Sequence, residues 1–117
     1  MAKLRLTAWF AAALALFPAL SFAPVDDKRY PCFRIAVEAA KAGGTAPTVL
    51  SAANEVAVAA FLDGKLPYSA LAGVIASALD ALPVRPVHTI DDVVEADRAT
   101  RRWLHEHHST AATGEGR

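Results

Sequence analysis

The sequence predicts an all-α protein: a small four-helix bundle-like domain with an extended amino-terminal linker and a frayed carboxyl-terminal tail. Three observations predict this fold class. Alanine, the best helix former, supplies 27 of the 117 residues. Apolar residues recur at the three- and four-residue spacing of helices in four segments. Glycine or proline separates these segments from one another.

The chain divides into three predicted parts. Residues 1–30 form an apolar amino-terminal segment and linker, residues 31–108 the helical domain, and residues 109–117 a disordered tail. The tail has no large apolar side chain with which to join a core. A length of 117 residues leaves room for one domain. It therefore excludes a chain that holds both a nucleotide-binding domain and a separate substrate domain.

The charge balance and the cysteine content exclude several classes of protein. Lys and Arg number 12, Asp and Glu also number 12, and the formal net charge is +0. A nucleic-acid partner held mainly through its phosphates requires a basic excess, so we expect no nucleic-acid binding. The single cysteine, Cys32, excludes an internal disulfide framework and a cysteine-based zinc cluster.

The first 23 residues have the pattern of a signal peptide, with Lys3 and Arg5 ahead of a long apolar run. Two features weaken this interpretation. Pro24 would directly follow the cleavage point, and Pro18 leaves the run short for a membrane span. We therefore expect a cytoplasmic protein and no membrane association. Export by cleavage after residue 23 is the alternative.

The first predicted helix begins at Pro31, a residue that suits a first helical turn, and runs to about Ala42. Gly43 and Gly44 follow and end the helix, because glycine adopts left-handed backbone without a steric cost.

The second predicted helix follows Thr45 as its N-cap, has Pro47 in its first turn and ends at about Leu62. Its apolar residues cover nearly the whole circumference, which is typical of a buried central helix. Asn54 and Glu55 are polar exceptions on this helix, and we expect the Asn54 amide to be buried.

Two further helices are predicted. The third follows Ser69 as N-cap, and its apolar stripe consists of Leu71, Val74, Ile75, Ala78, Leu79 and Leu82. The fourth has Thr89 as N-cap, with Asp91 and Asp92 in its first turn. The residues expected to point inward from the fourth helix are Ile90, Val93, Val94, Ala96 and Trp103.

The sequence contains no glycine-rich phosphate-binding motif, and its candidate metal ligands have simpler explanations. His105, His107 and His108 lie where we expect the last helix to fray, which favours a solvated end over a metal site. The acids near the start of the fourth helix occupy positions that point in different directions. We therefore interpret them as a helix cap and a solvated face; they are Asp91, Asp92, Glu95 and Asp97.

Cys32 lies near Arg34 and at a helix amino terminus, and both features lower the pKa of a thiol. No histidine lies near it in the sequence, so packing as a small apolar residue is favoured over a role as nucleophile. We expect no catalytic, cofactor-binding or metal-binding residue on this chain.

The sequence predicts one candidate site, a structural polar network formed by Asn54 and Glu55. A buried amide must find partners, or it costs roughly 1–3 kcal/mol. One interpretation is that the pair ties the second helix to its neighbours. The other is that the pair meets polar backbone of another domain. One amide and one carboxylate without a base partner make no recognised catalytic arrangement.

The segments that surround these residues resemble a known family. Residues 17–22 (FPALSF) and 26–33 (DDKRYPCF) are similar to the linker and first helix entry of 1-deoxy-D-xylulose 5-phosphate reductoisomerase, which reads like L-T-F…P-D…R-[YF]-P-C-L. The resemblance continues through residues 42–47 (AGGTAP), 50–62 (LSAANEVAVAAFL) and 90–97 (IDDVVEAD). It covers about residues 17–104 in order and with natural spacing.

The resemblance implies a particular part of this enzyme, which converts 1-deoxy-D-xylulose 5-phosphate to 2-C-methyl-D-erythritol 4-phosphate in non-mevalonate isoprenoid biosynthesis. The full-length enzyme uses NADPH and a divalent metal, Mg or Mn. This chain resembles only the carboxyl-terminal helical domain, which supports the catalytic domain, and the linker before it. The implied function is structural, without catalysis by the chain alone and without a cofactor on it.

The resemblance also implies a partner, namely a separate chain that carries the NADPH and catalytic domains. Residues 1–16 are expected to depart from the family, as in a truncated or split gene with a new start. Apolar surface left without its usual cover predicts self-association. The alternative function is a non-enzymatic, exported or membrane-tethered helical module with the same fold.

Overall fold

The protein is described from a computed structural model, which covers residues 7–9, 11–13 and 19–108. Within these ranges there is no β-strand, and the prediction of an all-α fold is confirmed. The main helices are α1 (Pro31–Ala42), α2 (Ala46–Leu62), α3 (Leu71–Ala81) and α4 (Ile90–His108), and a 3-10 turn (Tyr68–Ala70) precedes α3. The predicted tail, residues 109–117, lies outside the described residues.

The segment ahead of α1 contains few regular elements in its described part. Residues 7–9 and 11–13 are helical, and residues 19–26 have no regular secondary structure. The other residues of the signal-like segment, 1–6, 10 and 14–18, lie outside the described ranges, so the signal-peptide hypothesis stays a prediction. None of the described helices is both long enough and apolar enough to cross a membrane.

Helix α2 packs against each of the other three helices and carries the centre of the core. The core joins three helices and consists of Val49, Ala53 and Ala57 on α2, Val74, Ile75 and Ala78 on α3, and Leu104 on α4. The predicted stripe of α3 is confirmed, since Leu71, Leu79 and Leu82 are partly buried against this cluster. Small alanine side chains let the neighbouring backbones approach α2 closely.

Two predictions about buried faces are wrong. Helix α2 is not buried all round, because Pro47, Ser51 and Asn54 lie on an exposed face that its three neighbours leave uncovered. On α4, Ile90 is 82% exposed, whereas the fully buried side chains are those of Thr100 and Leu104. Helix α4 therefore packs through its second half and leaves much of the apolar surface of its first turns exposed.

The buried hydroxyl of Thr100 does not weaken this packing. Its Oγ1 donates a hydrogen bond to the Ala96 carbonyl oxygen at 2.7 Å. A hydroxyl that satisfies itself on its own helix can be buried without an unpaired polar group. Ala96 and Trp103 are half-buried, in agreement with the inward direction predicted for them.

The predicted caps have different outcomes. Thr89 caps α4 as expected, since its Oγ1 accepts the Asp92 N–H at 3.3 Å. The Asp92 carboxylate in return accepts the N–H groups of His88 and Thr89 at 2.9 and 2.8 Å. Ser69 lies inside the 3-10 turn, and the N-cap position of α3 belongs to Ala70, so that cap prediction is wrong.

Thr45 has a different role from the predicted helix cap. Its Oγ1 accepts the Arg85 N–H at 2.9 Å, and its own N–H donates to the Arg85 carbonyl oxygen, also at 2.9 Å. These two hydrogen bonds fasten the connector between α3 and α4 to the start of α2. Gly44 allows this close approach, because a Cβ atom there would lie 2.3 Å from the Arg85 oxygen.

Replacing Gly44 tests how much the fold depends on this approach. Gly43 and Gly44 both have positive φ angles, 67° and 53°, but a Cβ at Gly43 meets nothing within 4 Å. We expect Gly43→Ala to cost about 1–3 kcal/mol through backbone strain alone. Gly44→Ala should cost roughly 1–3 kcal/mol more, because the new methyl group collides with backbone. Urea unfolding of both variants checks this, and equal losses would contradict it.

The cap of α4 predicts a pH dependence. Hydrogen bonds from the backbone N–H groups of His88 and Thr89 lower the pKa of Asp92. Since the folded pKa lies below the unfolded value of about 3.9, the stabilisation is present above that value and is lost as the pH falls through the folded pKa. Asp92→Asn should therefore lower the urea midpoint at neutral pH and have a smaller effect in acid.

Asp91→Asn is the matched control for this measurement. Asp91 lies in the same first turn, so its substitution removes the same charge from the positive end of the helix. It accepts no backbone N–H from the described residues. A pH-dependent loss that is the same in both variants would show that the helix dipole, and not the cap, is responsible.

Candidate functional site

A concave surface lies between the first halves of α2 and α4. It is a groove of about 500 Å³, hereafter the α2–α4 groove, lined by Pro47, Thr48, Ser51, Val93, Val94, Asp97 and Arg98. Local sequence features determine where the two helices that form the groove begin. Pro47 lies in the first turn of α2, and the Thr89–Asp92 cap fixes where α4 begins. The groove is therefore built from two helix starts.

The walls of the groove combine apolar and polar groups. Val93 and Val94 are 36% and 38% exposed, although they lie on α4 at positions that the sequence predicts to be buried. Thr48 and Ser51 present hydroxyl groups from α2, and Ser51 is exposed. Apolar side chains surrounded by polar groups, with an arginine among them, are typical of a protein interface.

The charges around the groove are unevenly paired. Arg101 bonds to Asp97 through Nε at 2.9 Å and Nη2 at 3.3 Å, and its Nη2 also bonds to Glu55. These two carboxylates raise the pKa of Arg101. Arg98, by contrast, forms no ion pair with any residue in the described ranges. Of the charged residues that line the groove, Asp97 is thus already paired, and Arg98 is left without a partner in the described ranges.

The two residues singled out in the sequence have different surroundings. Asn54 is exposed, so the prediction that its amide is buried is wrong. Its side chain forms no hydrogen bond with another residue in the described part of the chain. Glu55 joins α2 to α4 through Arg101, across 46 positions of sequence. A polar network that includes both residues stays a prediction.

A second, smaller cavity is lined by residues of α2, α4 and the connector between α3 and α4. It has a volume of about 120 Å³ and is lined by Thr45, Val49, Leu82, Pro83, Arg85, Pro86, Asp92, Glu95, Ala96 and Ala99. Two of its polar groups are already in use, since Thr45 binds the connector at Arg85 and Asp92 caps α4. No nucleophile with a neighbouring base lines this cavity.

The candidate metal ligands near the end of α4 point to different neighbours. The helix continues through His108, so the prediction that it frays at these histidines is wrong. His107 stacks on Trp103 with ring centroids 4.5 Å apart, and its Nδ1 lies 2.8 Å from the Trp103 carbonyl oxygen. His108 Nε2 lies 3.4 Å from Ser77 Oγ. Among the described residues, no three ligand side chains come together as a metal site would require.

Cys32 and the acids of α4 complete the set of candidates. Cys32 is exposed in the first turn of α1, so the prediction that it packs in the core is wrong. Asp92 faces the chain ahead of α4, whereas Asp97 faces Arg101, so the two carboxylates serve separate contacts. The sequence pattern singles out neither Arg98 nor Arg101; the contact of Arg101 with Glu55 spans 46 positions, which no local pattern contains.

Comparison with known proteins supports one family. A model of the DXP reductoisomerase C-terminal domain matches residues 5–103. The 1-deoxy-D-xylulose 5-phosphate reductoisomerase of Pseudomonas syringae pv. syringae is 48% identical over 92 residues, which cover 75% of this chain and 23% of that protein. The same enzyme of Pseudomonas aeruginosa is 45% identical over 92 residues, with the same two coverages.

A solved structure agrees with this comparison. The 1-deoxy-D-xylulose 5-phosphate reductoisomerase of Zymomonas mobilis, determined in complex with NADPH, superposes with a TM-score of 0.75 and 29% sequence identity. The superposition covers 87% of this chain and 26% of that one. The chain thus spans about a quarter of the length of the relatives that it matches.

The extent of the match corrects one expectation and settles the family. The match begins at residue 5, so the prediction that residues 1–16 depart from the family is wrong from that residue onward. Residues 5–103 are most of the 117-residue chain. The chain therefore belongs to the family of the DXP reductoisomerase C-terminal domain.

Proposed function

We propose that this chain is the helical support domain of a 1-deoxy-D-xylulose 5-phosphate reductoisomerase and has no catalytic activity alone. In this proposal residues 31–108 form the domain, residues 1–30 lead into it from the catalytic part, and residues 109–117 form a tail. The observation that carries the proposal is the family match over residues 5–103, at 23% of a relative's length.

The described residues of this chain do not fit a cofactor or metal site. The sequence has no glycine-rich loop after a strand with which to hold the phosphates of NADPH. Over the described ranges, no three ligand side chains come together. The proposal therefore places NADPH and the divalent metal, Mg or Mn, on the rest of the enzyme. Asn54 and Glu55 have structural roles in it.

The exposed apolar surface supports a role in holding another domain. Val93 and Val94 line a concave surface and remain partly exposed when the domain stands alone. Burying such surface against a partner is favourable by roughly 25 cal/mol per Å². A catalytic domain that rests on this surface would hold its own active-site groups in a fixed position.

The catalytic part can be supplied in two ways. It can lie on the same polypeptide, as in the relatives, or on a separate chain that assembles with this one. In both cases the activity is that of the assembled enzyme, which converts 1-deoxy-D-xylulose 5-phosphate to 2-C-methyl-D-erythritol 4-phosphate. No observation on the described residues favours the exported or membrane-tethered alternative.

A chimera tests the proposed function. The matched carboxyl-terminal segment of the Pseudomonas syringae enzyme is replaced by residues 5–103 of this chain. We expect the chimera to oxidise NADPH when substrate and Mg²⁺ are present, because the helical domain supports the catalytic part of its relative. The purified 117-residue chain alone should neither bind NADPH nor oxidise it.

Two outcomes would contradict the proposal. Turnover by the isolated chain would show that it has an active site of its own. A chimera that folds, as judged by circular dichroism and a cooperative unfolding transition, but does not turn over would show that this domain cannot replace the relative's domain. The unaltered Pseudomonas enzyme, assayed in parallel, is the positive control.

A further inference from the structure

We propose that the α2–α4 groove is where the catalytic part of the enzyme docks, through an apolar segment whose carboxylate pairs with Arg98. This inference rests on the proposed function and assigns to it a surface and a partner chemistry. The occupant is the part of the reductoisomerase that lies outside the matched segment. That part makes up about three quarters of a relative, since the matched residues are 23% of its length.

The apolar walls are the first argument for this surface. Val93 and Val94 are adjacent on α4, and both are more than one third exposed. On a helix that had only its own domain to contact, the sequence pattern would place them inward. Instead they line a groove of about 500 Å³, large enough for several side chains of a partner segment. A partner segment that fills this groove excludes water from it.

Charge complementarity is the second argument. Asp97 and Glu55 share the guanidinium of Arg101, so each of these carboxylates already has an ion-pair partner within the domain. Arg98 lines the groove and has no acidic partner among the described residues. A planar guanidinium beside an apolar surface recognises a carboxylate through paired hydrogen bonds. The partner segment is therefore acidic at the position that meets Arg98.

The exposed polar groups of α2 extend the same surface. Thr48 and Ser51 line the groove, and Asn54 follows Ser51 by one helical turn on the exposed face. The Asn54 amide can donate and accept hydrogen bonds, and no described residue uses it. Such groups at the rim of an apolar groove suit the backbone of a docked segment.

A second exposed apolar patch, at the far end of α2, is a weaker candidate for the docking surface. Leu62 and Tyr68 are 75% and 70% exposed there. However, Tyr68 is already packed edge-on against Phe61, with ring centroids 5.9 Å apart. The nearby Lys65 is paired with Asp63 at 3.5 Å. This patch leaves no charge for a partner to complement.

The experiment uses the Pseudomonas chimera described above, with substitutions in the groove. Arg98→Glu should lower the NADPH turnover of the chimera by roughly tenfold or more, because it places two acids opposite each other. Arg98→Lys keeps the charge and should retain most of the turnover. Val94→Gln should also lower it, since the polar side chain is desolvated when the partner docks.

Matched controls separate docking from folding. Arg102→Glu is the same charge reversal on the same helix at an exposed position that does not line the groove, and it should leave turnover unchanged. Leu62→Gln is the control for Val94→Gln and lies in the far patch. The isolated chain carrying each substitution should keep its urea midpoint, because the exposed groove side chains contribute little to its own core.

Each remaining outcome decides the proposal. Groove variants that turn over like the unsubstituted chimera overturn it, as does an equal loss from Arg102→Glu or Leu62→Gln. If the isolated chain dimerises and Arg98→Glu abolishes the dimer without an effect on the chimera, the occupant is a second copy and the proposal is overturned. An unsubstituted chimera that folds but is inactive instead shows that the proposed function itself fails.

Discussion

The fold depends on the close packing of alanine side chains along α2. Ala53 and Ala57 on this helix are 0% and 1% exposed, and Ala78 on α3 is 0% exposed. Because a methyl group fills little space, the helices approach one another closely, and only a thin core lies between them. The larger buried residues Ile75 and Leu104 belong to the same core cluster as these alanines. The helices are therefore held together by close packing of small side chains more than by a large volume of buried apolar side chains.

A thin core has a consequence for the rest of the chain. Large apolar side chains that the core does not accommodate remain outside, including Ile90 at 82% and Phe22 at 91% exposure. For a domain that works alone, this surface would be a liability for aggregation. For a domain that supports a larger enzyme, the same apolar surface can be buried in the interface with another domain. The composition and the proposed function therefore have a common physical basis.

The sequence predicts those features of the fold that have local causes. Helix α1 begins at Pro31 and ends before Gly43, as expected. The spacing of the apolar residues on α3 correctly identifies the buried side of that helix. Thr45 shows the limit of such signals, because its partner Arg85 lies 40 positions away and competes with the local cap. No short-range pattern contains that information.

The candidate site was predicted less well than the fold, for a different physical reason. Hydrophobic periodicity shows that a face avoids water, but it does not show whether the face is covered by the same domain or by another. Val93, Val94 and the apolar circumference of α2 were therefore all assigned to the core. Asn54 was assigned to a buried position by the same argument and is exposed. Two of the misassigned residues, Val93 and Val94, line the groove.

Two arginines of α4 have different roles, one in the stability of the domain and the other in the proposed docking. Arg101 holds Asp97 on its own helix and Glu55 on α2, so its charge is satisfied inside the domain. Arg98, three positions earlier, lines the groove and has no such partner among the described residues. Since one guanidinium stabilises the fold and the other faces outward, a substitution at Arg98 can weaken docking while the domain stays folded. This division makes the surface testable, because binding and folding respond to different residues on one helix.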